Sequence, residues 1–272
     1  MDKNLVIVRG GGDIASGTIM KLYKCGYRVL VLEIEKPSSI RRNVSFSEAV
    51  YEKTQKVEDV TCYLAKDSDE AKEYLKQGKL TMLIDPSCDC LSTFNPIAVV
   101  DAILAKKNLG TTKGMAPITI ALGPGFKADV DVDAVIETMR GHSLGRVILQ
   151  GEAIENTGVP GIIAGFGIER VIHSPAEGII RNIHHITDTV KKDELIAEIQ
   201  SSDGITPVYA TIDGLLRGLI RDGYYVTKGF KIADIDPRAN EYNNCFTISD
   251  KARCIAGGVI EALMYLSRNK QL

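Results

Sequence analysis

The chain has 272 residues, 44% of them hydrophobic and 25% charged, so it is long enough to bury one large core or two ordinary ones. Its formal net charge is −2 and its lysines and arginines are dispersed, which excludes the basic surface expected of a protein that binds nucleic acid or an anionic membrane. The first apolar run stops at glycines and is too short for a signal peptide or a transmembrane helix. We therefore expect a cytoplasmic protein with reduced cysteines.

The N-terminal segment predicts a strand, a glycine-rich turn and a helix. Leu5–Val8 is an apolar, β-branched run, and apolar periodicity resumes after the glycines as far as about Tyr23. A second buried strand, Arg28–Glu33, completes the βαβ order of a dinucleotide-binding fold. In such a turn, bare backbone N–H groups and the helix dipole hold phosphate oxygens, and an acid at the end of the second strand holds ribose hydroxyls.

The predicted phosphate site combines the loop at the start of this helix with the acid Glu33. The loop residues of the site are Gly10, Gly11, Gly12, Asp13, Ala15, Ser16 and Gly17. The alternative is that the glycines only permit a sharp turn between strand and helix, with Asp13 or Ser16 capping the helix.

Further strands are predicted at 57–64, 80–85 and 118–122, and helices at 68–77 and 97–107. Their alternation favours a mostly parallel sheet, in which ligands bind beyond the carboxyl ends of the strands. Gly123 and Gly125 follow one such end, so we include both in the phosphate site.

Cys88 and Cys90 follow another strand end, and a thiol pair of this spacing is open to sulfur relay or soft-metal binding. A zinc site needs four ligands, however, and no second close pair of cysteines or histidines accompanies this one. We therefore predict no metal site and interpret both residues as ordinary loop cysteines.

Arg140 and His142 stand in a glycine-containing segment that also carries Arg146, a combination suited to an anionic ligand. We add Arg140 and His142 to the predicted site. The alternative is a structural histidine beside arginines that pair with acidic neighbours.

Residues 171–199 align without a gap on residues 207–235, with Gly178 falling on Gly214, which indicates a duplication. Each half resembles half of a biotinyl or lipoyl domain, and two such halves predict a barrel-sandwich. The tip near 200–204 carries no lysine, so neither lipoate nor biotin can be attached there, and we expect a scaffold or docking module. A final helix after Ser249 is predicted to pack back on the protein.

Together these elements predict an α/β fold, with a Rossmann-like, mostly parallel sheet, then a β-rich barrel-sandwich hybrid (lipoyl/biotinyl-like) domain and a C-terminal helix. The predicted domains are a nucleotide-binding domain at 1–126, a connecting segment at 127–168, the duplicated barrel-sandwich at 169–237 and the packing helix at 238–272.

Six segments give the chain a nearly full-length resemblance to the YqeB-type accessory family of selenium-dependent molybdenum hydroxylase systems. They are VRGGGDIASG at 8–17, DAILAKKNLGTT at 101–112, LGPGF at 122–126, VIETMRGHSLGRVI at 135–148, KIADIDPR at 231–238 and CFTISDKAR at 245–253. The resemblance implies a maturation factor whose partner is a client molybdenum hydroxylase. It also implies a phosphorylated ligand, either a nucleotide or a molybdopterin dinucleotide.

Two other functions fit the same residues. An NAD(P)-dependent oxidoreductase would use the glycine loop and Glu33, although no Tyr-x-x-x-Lys pair or other hydride-transfer constellation follows them. A non-catalytic interaction module would bind nothing at either glycine loop. The sequence leaves catalysis and homo-oligomerisation open.

Overall fold

The computed structural model describes residues 2–158, 161–238 and 240–270, which divide into two compact units. The first unit contains the described residues up to Pro37, Ser45–Thr157 and those from Ile248 onward. The second unit contains Ser38–Val44 and the described residues between Gly158 and Thr247. Nowhere in these ranges does a helix combine the length and the hydropathy needed to cross a bilayer.

The first unit is built on a nine-stranded mixed sheet. Its elements, in chain order, are β1 (Asp2–Arg9), α1 (Asp13–Lys24), β2 (Arg28–Glu33), α2 (Ala49–Glu52), β3 (Thr54–Val57), β4 (Val60–Ala65), α3 (Ser68–Lys76), β5 (Leu80–Ile84), α4 (Leu91–Phe94), β6 (Pro96–Asp101), β7 (Ile118–Leu122), β8 (Lys127–Ala128), β9 (Ala134–Ile136), β10 (Val147–Ile148) and β11 (Gly151–Glu152). The sheet order is β10-β9-β7-β6-β1-β2-β5-β4-β3, with β3 and β10 antiparallel to their neighbours. The short strands β8 and β11 pair separately.

The second unit consists of eight strands and the chain then returns to the first unit as one long helix. These elements are β12 (Val171–His173), β13 (Gly178–Asn182), β14 (Thr189–Val190), β15 (Leu195–Ser201), β16 (Gly204–Tyr209), β17 (Gly214–Leu219), β18 (Tyr225–Val226), β19 (Lys231–Asp236) and the helix α5 (Asp250–Asn269). The strands form two antiparallel sheets of four, with the orders β12-β19-β17-β14 and β16-β15-β13-β18.

The predicted fold class is wrong, because a Rossmann-like sheet followed by a lipoyl-type barrel does not describe this architecture. The large sheet is mixed, with an antiparallel strand at each edge, and it is accompanied by three separate antiparallel sheets. The chain between β6 and β7, residues 102–117, contains no helix, so a parallel connection is made by loop alone. The helix that covers this side of the sheet is α5, which packs on β7, β9 and β10.

Two secondary-structure predictions fail for local reasons. The helix expected at 97–107 is instead the strand β6, whose residues are all buried because it lies at the centre of the sheet between β1 and β7. The single strand expected at 57–64 is a hairpin, in which Glu58 adopts a positive φ of 52° between β3 and β4. The helix expected at 68–77 is confirmed as α3, which Asp67 caps by accepting from the Glu70 amide.

Two glycines allow α5 to lie unusually close to its neighbours in the first unit. A Cβ on Gly17 of α1 would come within 2.7 Å of the Ala252 carbonyl oxygen on α5. A Cβ on Gly258 of α5 would come within 2.2 Å of the Gly145 oxygen. Backbone atoms cannot give way as a flexible side chain can, so both positions require glycine.

We expect Gly17→Ala and Gly258→Ala each to lower the free energy of unfolding by about 1–3 kcal/mol, because the new methyl groups overpack a backbone contact. The matched control is Gly257→Ala, whose Cβ would meet only the flexible end of Lys21 at 3.7 Å. That change should stabilise the protein by about 1 kcal/mol through helix propensity alone. Urea denaturation of the three variants measures both effects, and equal stabilisation at Gly257 and Gly258 would contradict the close packing.

Candidate functional site

The candidate site lies at the carboxyl edge of the large sheet, where the segments after β1, β6, β7 and β9 leave the parallel strands. The chain turns from β1 through α1 to β2 on one side, while β6 lies on the other side of β1. Such a reversal of strand order opens a crevice at the carboxyl ends of the strands, which is the usual ligand position in α/β sheets.

Two of the loop amides are already engaged within the protein. The Gly11 amide donates to Glu33 Oε2 at 2.8 Å, and the Gly10 amide donates to the Leu32 carbonyl oxygen at 2.8 Å. Gly10 also needs to be glycine, since its φ is +89° and a Cβ there would approach the Ile103 backbone at 3.1 Å. The Gly10 and Gly11 amides therefore donate to acceptors within the protein and are not available to a ligand.

Glu33 lies on the glycine loop instead of pointing to an open ribose position. Its second oxygen, Oε1, accepts from the Ile34 amide at 2.8 Å, so both carboxylate oxygens have backbone donors. Burial raises the pKa of Glu33, and the two amide hydrogen bonds oppose that rise without cancelling it. The acid thus occupies a position at Gly11 that an anionic ligand would otherwise take.

The remaining loop residues divide into an accessible group and a structural group. Gly12 is the N-cap of α1 and has no side chain with which to cap it, and Gly12, Asp13 and Ile14 are partly exposed. Ser16 is fully buried, where its hydroxyl donates to the Gly11 and Gly12 carbonyls and accepts from the Phe46 amide. Ala15 is buried as well, and Gly17 serves the contact with α5.

Gly123 and Gly125 follow β7 at the same edge, where both permit tight backbone packing. Gly125 has a φ of +102°, and a Cβ there would lie 2.6 Å from the Lys107 Cα atom. A Cβ on Gly123 would lie 2.6 Å from the Thr138 hydroxyl oxygen. The two glycines therefore bring the segments after β6, β7 and β9 together.

A group of charged residues borders the start of α1. Arg140 forms a bidentate ion pair with Asp250 at 2.8 and 3.2 Å, which raises the pKa of Arg140. Lys251 is half-buried, and burial followed by the charge of Arg140 lowers its pKa, while Asp13, Asp250 and Glu137 oppose that shift. His142 is exposed, two residues beyond Arg140.

The acids in this group already have donors of their own. Glu137 is buried and accepts from the Met139 amide at 2.6 Å and the Ile154 amide at 2.8 Å, and Asp250 accepts from Arg140. Arg140 is thus neutralised by a bidentate ion pair. The remaining positive potential at this edge comes from Lys251 and from the N-terminus of α1. Sequence reasoning missed Lys251, because nothing in its local sequence indicates that α5 returns to this edge.

A buried hydrogen-bond network centred on Arg9 holds the loops at the carboxyl edge of the sheet in place. The Arg9 guanidinium lies 3.5 Å from Asp101 Oδ2, donates to the Thr111 hydroxyl, and also donates to the Pro86 and Leu109 carbonyls at 3.0 and 3.3 Å. The Thr111 hydroxyl in turn donates to Asp101 Oδ2 at 2.6 Å. One buried cation thus holds the loops that follow β5 and β6.

Cys88 and Cys90 are both buried beside this network. Burial is the main cause that raises the pKa of each thiol, and a hydrogen bond with Asp85 adds to the rise at Cys90. Among the described residues, no three His, Cys, Asp or Glu side chains are placed to bind a metal ion. The geometry therefore favours inert core thiols over a reactive pair.

Comparison with known proteins gives one extensive sequence match. The uncharacterized protein YqeB of Escherichia coli (strain K12) is 52% identical over 262 residues, which cover 96% of this chain and 48% of that protein. The chain therefore spans about half the length of the curated relative it matches. No protein-family model matches the chain.

Similar solved structures are of the succinylglutamate desuccinylase and aspartoacylase type. One from Rhodobacter sphaeroides has a TM-score of 0.30 at 11% identity, covering 88% of this chain and 86% of that one. An aspartoacylase family protein from Mesorhizobium loti has a TM-score of 0.27 at 11% identity, with coverages of 88% and 86%. A succinylglutamate desuccinylase from Silicibacter has a TM-score of 0.27 at 14% identity, with coverages of 86% and 84%. Similarity at these scores carries no argument about activity.

The raised pKa of Glu33 predicts a specific pH dependence of stability. A carboxyl whose pKa is higher in the folded state stabilises that state most below its unfolded value of about 4.3, and this contribution is lost as the pH rises through the folded pKa. The unfolding free energy of the wild type relative to Glu33→Gln should therefore fall as the pH rises from about 4.3 through the folded pKa of Glu33. Urea titrations across that range measure the difference, and a rising difference would contradict the assignment.

Asp101→Asn should lower the free energy of unfolding by about 3–5 kcal/mol, because it leaves the buried Arg9 charge without its counter-ion. The control is Asp129→Asn, which breaks an exposed ion pair with Lys113 at 2.7 Å and should cost about 0–1 kcal/mol. Denaturant unfolding compares the two, and a similar small cost at both positions would show that Arg9 is adequately satisfied by its carbonyl partners.

Proposed function

Because this chain is 52% identical over 262 residues to the uncharacterized protein YqeB, we propose that it is an accessory protein in the maturation of a selenium-dependent molybdenum hydroxylase. In this role it binds a phosphorylated ligand, a nucleotide or a molybdopterin-dinucleotide-type compound, at the carboxyl edge of the large sheet. The client hydroxylase is its proposed protein partner.

The observation that carries the proposal is the position of the segments on which the family resemblance rests. Residues 8–17 form the end of β1 and the start of α1, while 101–112, 122–126 and 135–148 form or adjoin the loops after β6, β7 and β9. Residues 249–253 form the start of α5, which lies beside the same end of α1. Five of the six segments therefore meet at one edge of one sheet, as residues around a shared site would.

The arrangement of the two helices favours an anionic group at that edge. Gly17 of α1 lies against Ala252 of α5, and Lys21, one turn further along α1, lies beside Gly257, which is further along α5. The helices are therefore parallel, and the positive ends of both dipoles lie on the same side of the sheet. Lys251 and Arg140 add two cationic side chains beside them.

The accessible amides define where a phosphate would bind. Gly10 and Gly11 donate within the protein, whereas the Gly12 and Ile14 N–H groups lie at the N-terminal end of α1, where backbone amides have no carbonyl acceptor within the helix. A phosphate at Gly12 would meet these amides and the helix dipole at once. Lys251 is the side chain best suited to balance its charge, since Arg140 is paired with Asp250.

We expect Gly12→Asp to weaken binding of the phosphorylated ligand at least tenfold, which corresponds to about 1.4 kcal/mol. The new carboxylate would accept from the first-turn amides and repel phosphate, and because aspartate is a favourable N-cap, the free energy of unfolding should stay within about 0.5 kcal/mol of the wild type. Calorimetry with molybdopterin dinucleotides and ordinary nucleotides measures the binding.

The matched control is Gly114→Asp, the same substitution at a loop glycine whose Cβ would meet nothing within 4 Å. It should leave ligand binding unchanged. Failure of the wild type to bind any of these compounds would remove the ligand site and favour a pure interaction module. Turnover of a reduced nicotinamide cofactor with carbonyl substrates would instead favour the oxidoreductase.

A further inference from the structure

The two four-stranded sheets of the second unit correspond strand for strand. Adding 36 to the residues of β12, β13 and β14 gives positions in β16, β17 and β18, and β15 likewise corresponds to β19. The order β12-β19-β17-β14 then becomes β16-β15-β13-β18, which is the order of the other sheet. Equivalent positions in the two sheets can therefore be compared directly.

The outward faces of the two sheets differ sharply in exposure. Ile179 on β13 is 39% exposed, whereas its equivalent on β17, Leu215, is 2% exposed. In the same way Gln200 on β15 is exposed, whereas its equivalent on β19, Asp236, is fully buried. One sheet is covered on its outer side and the other is not.

The outer side of the sheet that contains β17 is covered by other segments of the second unit. A 3-10 turn at Tyr242–Cys245 packs on β17, and the Ile40 carbonyl accepts from the Leu219 amide at 2.8 Å. The Arg42 side chain then donates to the Leu219 carbonyl at 2.8 Å. No described segment plays this part for the sheet that contains β16, whose outward residues remain exposed.

The uncovered face has two cross-strand rows. The first row is apolar apart from one amide, and it runs from Tyr225 through Ile179 and Gln200 to Ile205, which is 62% exposed. The second row pairs Arg181 with Glu198 and continues to Pro207 at the sheet edge. Exposed isoleucine and tyrosine side chains grouped on one face of a sheet are typical of an interaction surface.

The charge pattern of the second row identifies the occupant. Arg181 and Glu198 are opposite charges on adjacent strands, so a twofold axis through this row would place each Arg181 opposite Glu198 of a second copy. Arg181 lies 3.6 Å from Asp222 and 3.4 Å from Gln200, and its side chain is 48% exposed, so its guanidinium is accessible to such a partner. We propose that this face binds the same face of a second copy of the chain, forming an isologous dimer.

The proposal is tested by the mass of the full chain in solution, using sedimentation over a dilution series. The wild type should approach twice 29.6 kDa as concentration rises. Arg181→Glu or Glu198→Arg alone would set like charges opposite each other and should raise the dissociation constant about tenfold or more. The double variant restores opposite charges and should dimerise again.

Lys231→Glu is the control, because it reverses a charge at an exposed position on β19 of the other sheet. It should dimerise like the wild type, and circular dichroism checks that each variant is folded. A wild type that stays monomeric would overturn the proposal. So would single variants that dimerise normally, a folded double variant that stays monomeric, or a Lys231 variant that dissociates. The test is independent of ligand binding, so its failure leaves the proposed function standing.

Discussion

The candidate site depends on the close approach of α5 to α1. Gly17 lets the backbones of the two helices come into contact, and Gly258 lets α5 reach the loop at Gly145, so the helix is held at both points. Because the helices run in the same direction, this contact brings both N-termini to the carboxyl edge of the sheet. Without it, Asp250 and Lys251 would not lie beside Asp13 and Arg140, and the edge would have only one helix dipole.

The position of Glu33 changes what the glycine loop can do. A glycine-rich turn after a first strand usually offers a continuous set of amides to a phosphate, and a distal acid binds a ribose. Here the acid returns to the loop and accepts the Gly11 amide, so the protein supplies its own anion at that point. In the proposed site an external phosphate would therefore bind one residue further along the chain, at Gly12 and the first turn of α1. The loop keeps the strand–turn–helix geometry, and the proposed ligand position lies closer to the helix.

Local elements of the fold could be predicted from sequence, whereas the long-range arrangement could not. The β1–α1–β2 unit follows from β-branched runs and a glycine turn, and α3 follows from its Asp67 cap. The apolar stretch that begins at Pro96 is compatible with either a buried strand or a helix. It forms a strand because it pairs with β1 and β7 at the centre of the sheet. No local signal pairs Arg9 with Asp101, 92 residues away, or returns α5 to the N-terminal half.

The same limit applies to the site residues. Gly10, Gly12, Gly123 and Gly125 were placed at one edge by their positions after strands, and the structure brings their loops to that edge. Glu33 was predicted as an acid at a strand end, but its hydrogen-bond partners depend on the loop conformation. Lys251 became part of the site only through tertiary packing.

The second unit shows that near-identical strand patterns do not fix a surface. Ile179 and Leu215 occupy equivalent positions on equivalent strands, and both are apolar, so the sequence alone gives them the same expected environment. Their exposures differ because the Tyr242–Cys245 turn and the Ser38–Val44 segment contact the sheet that contains Leu215, whereas no described segment covers the sheet that contains Ile179 in this way. The face around Ile179 is therefore left to solvent or to another molecule. It presents isoleucine and tyrosine side chains beside a pair of opposite charges, Arg181 and Glu198, a combination that favours contact with another protein surface over contact with water.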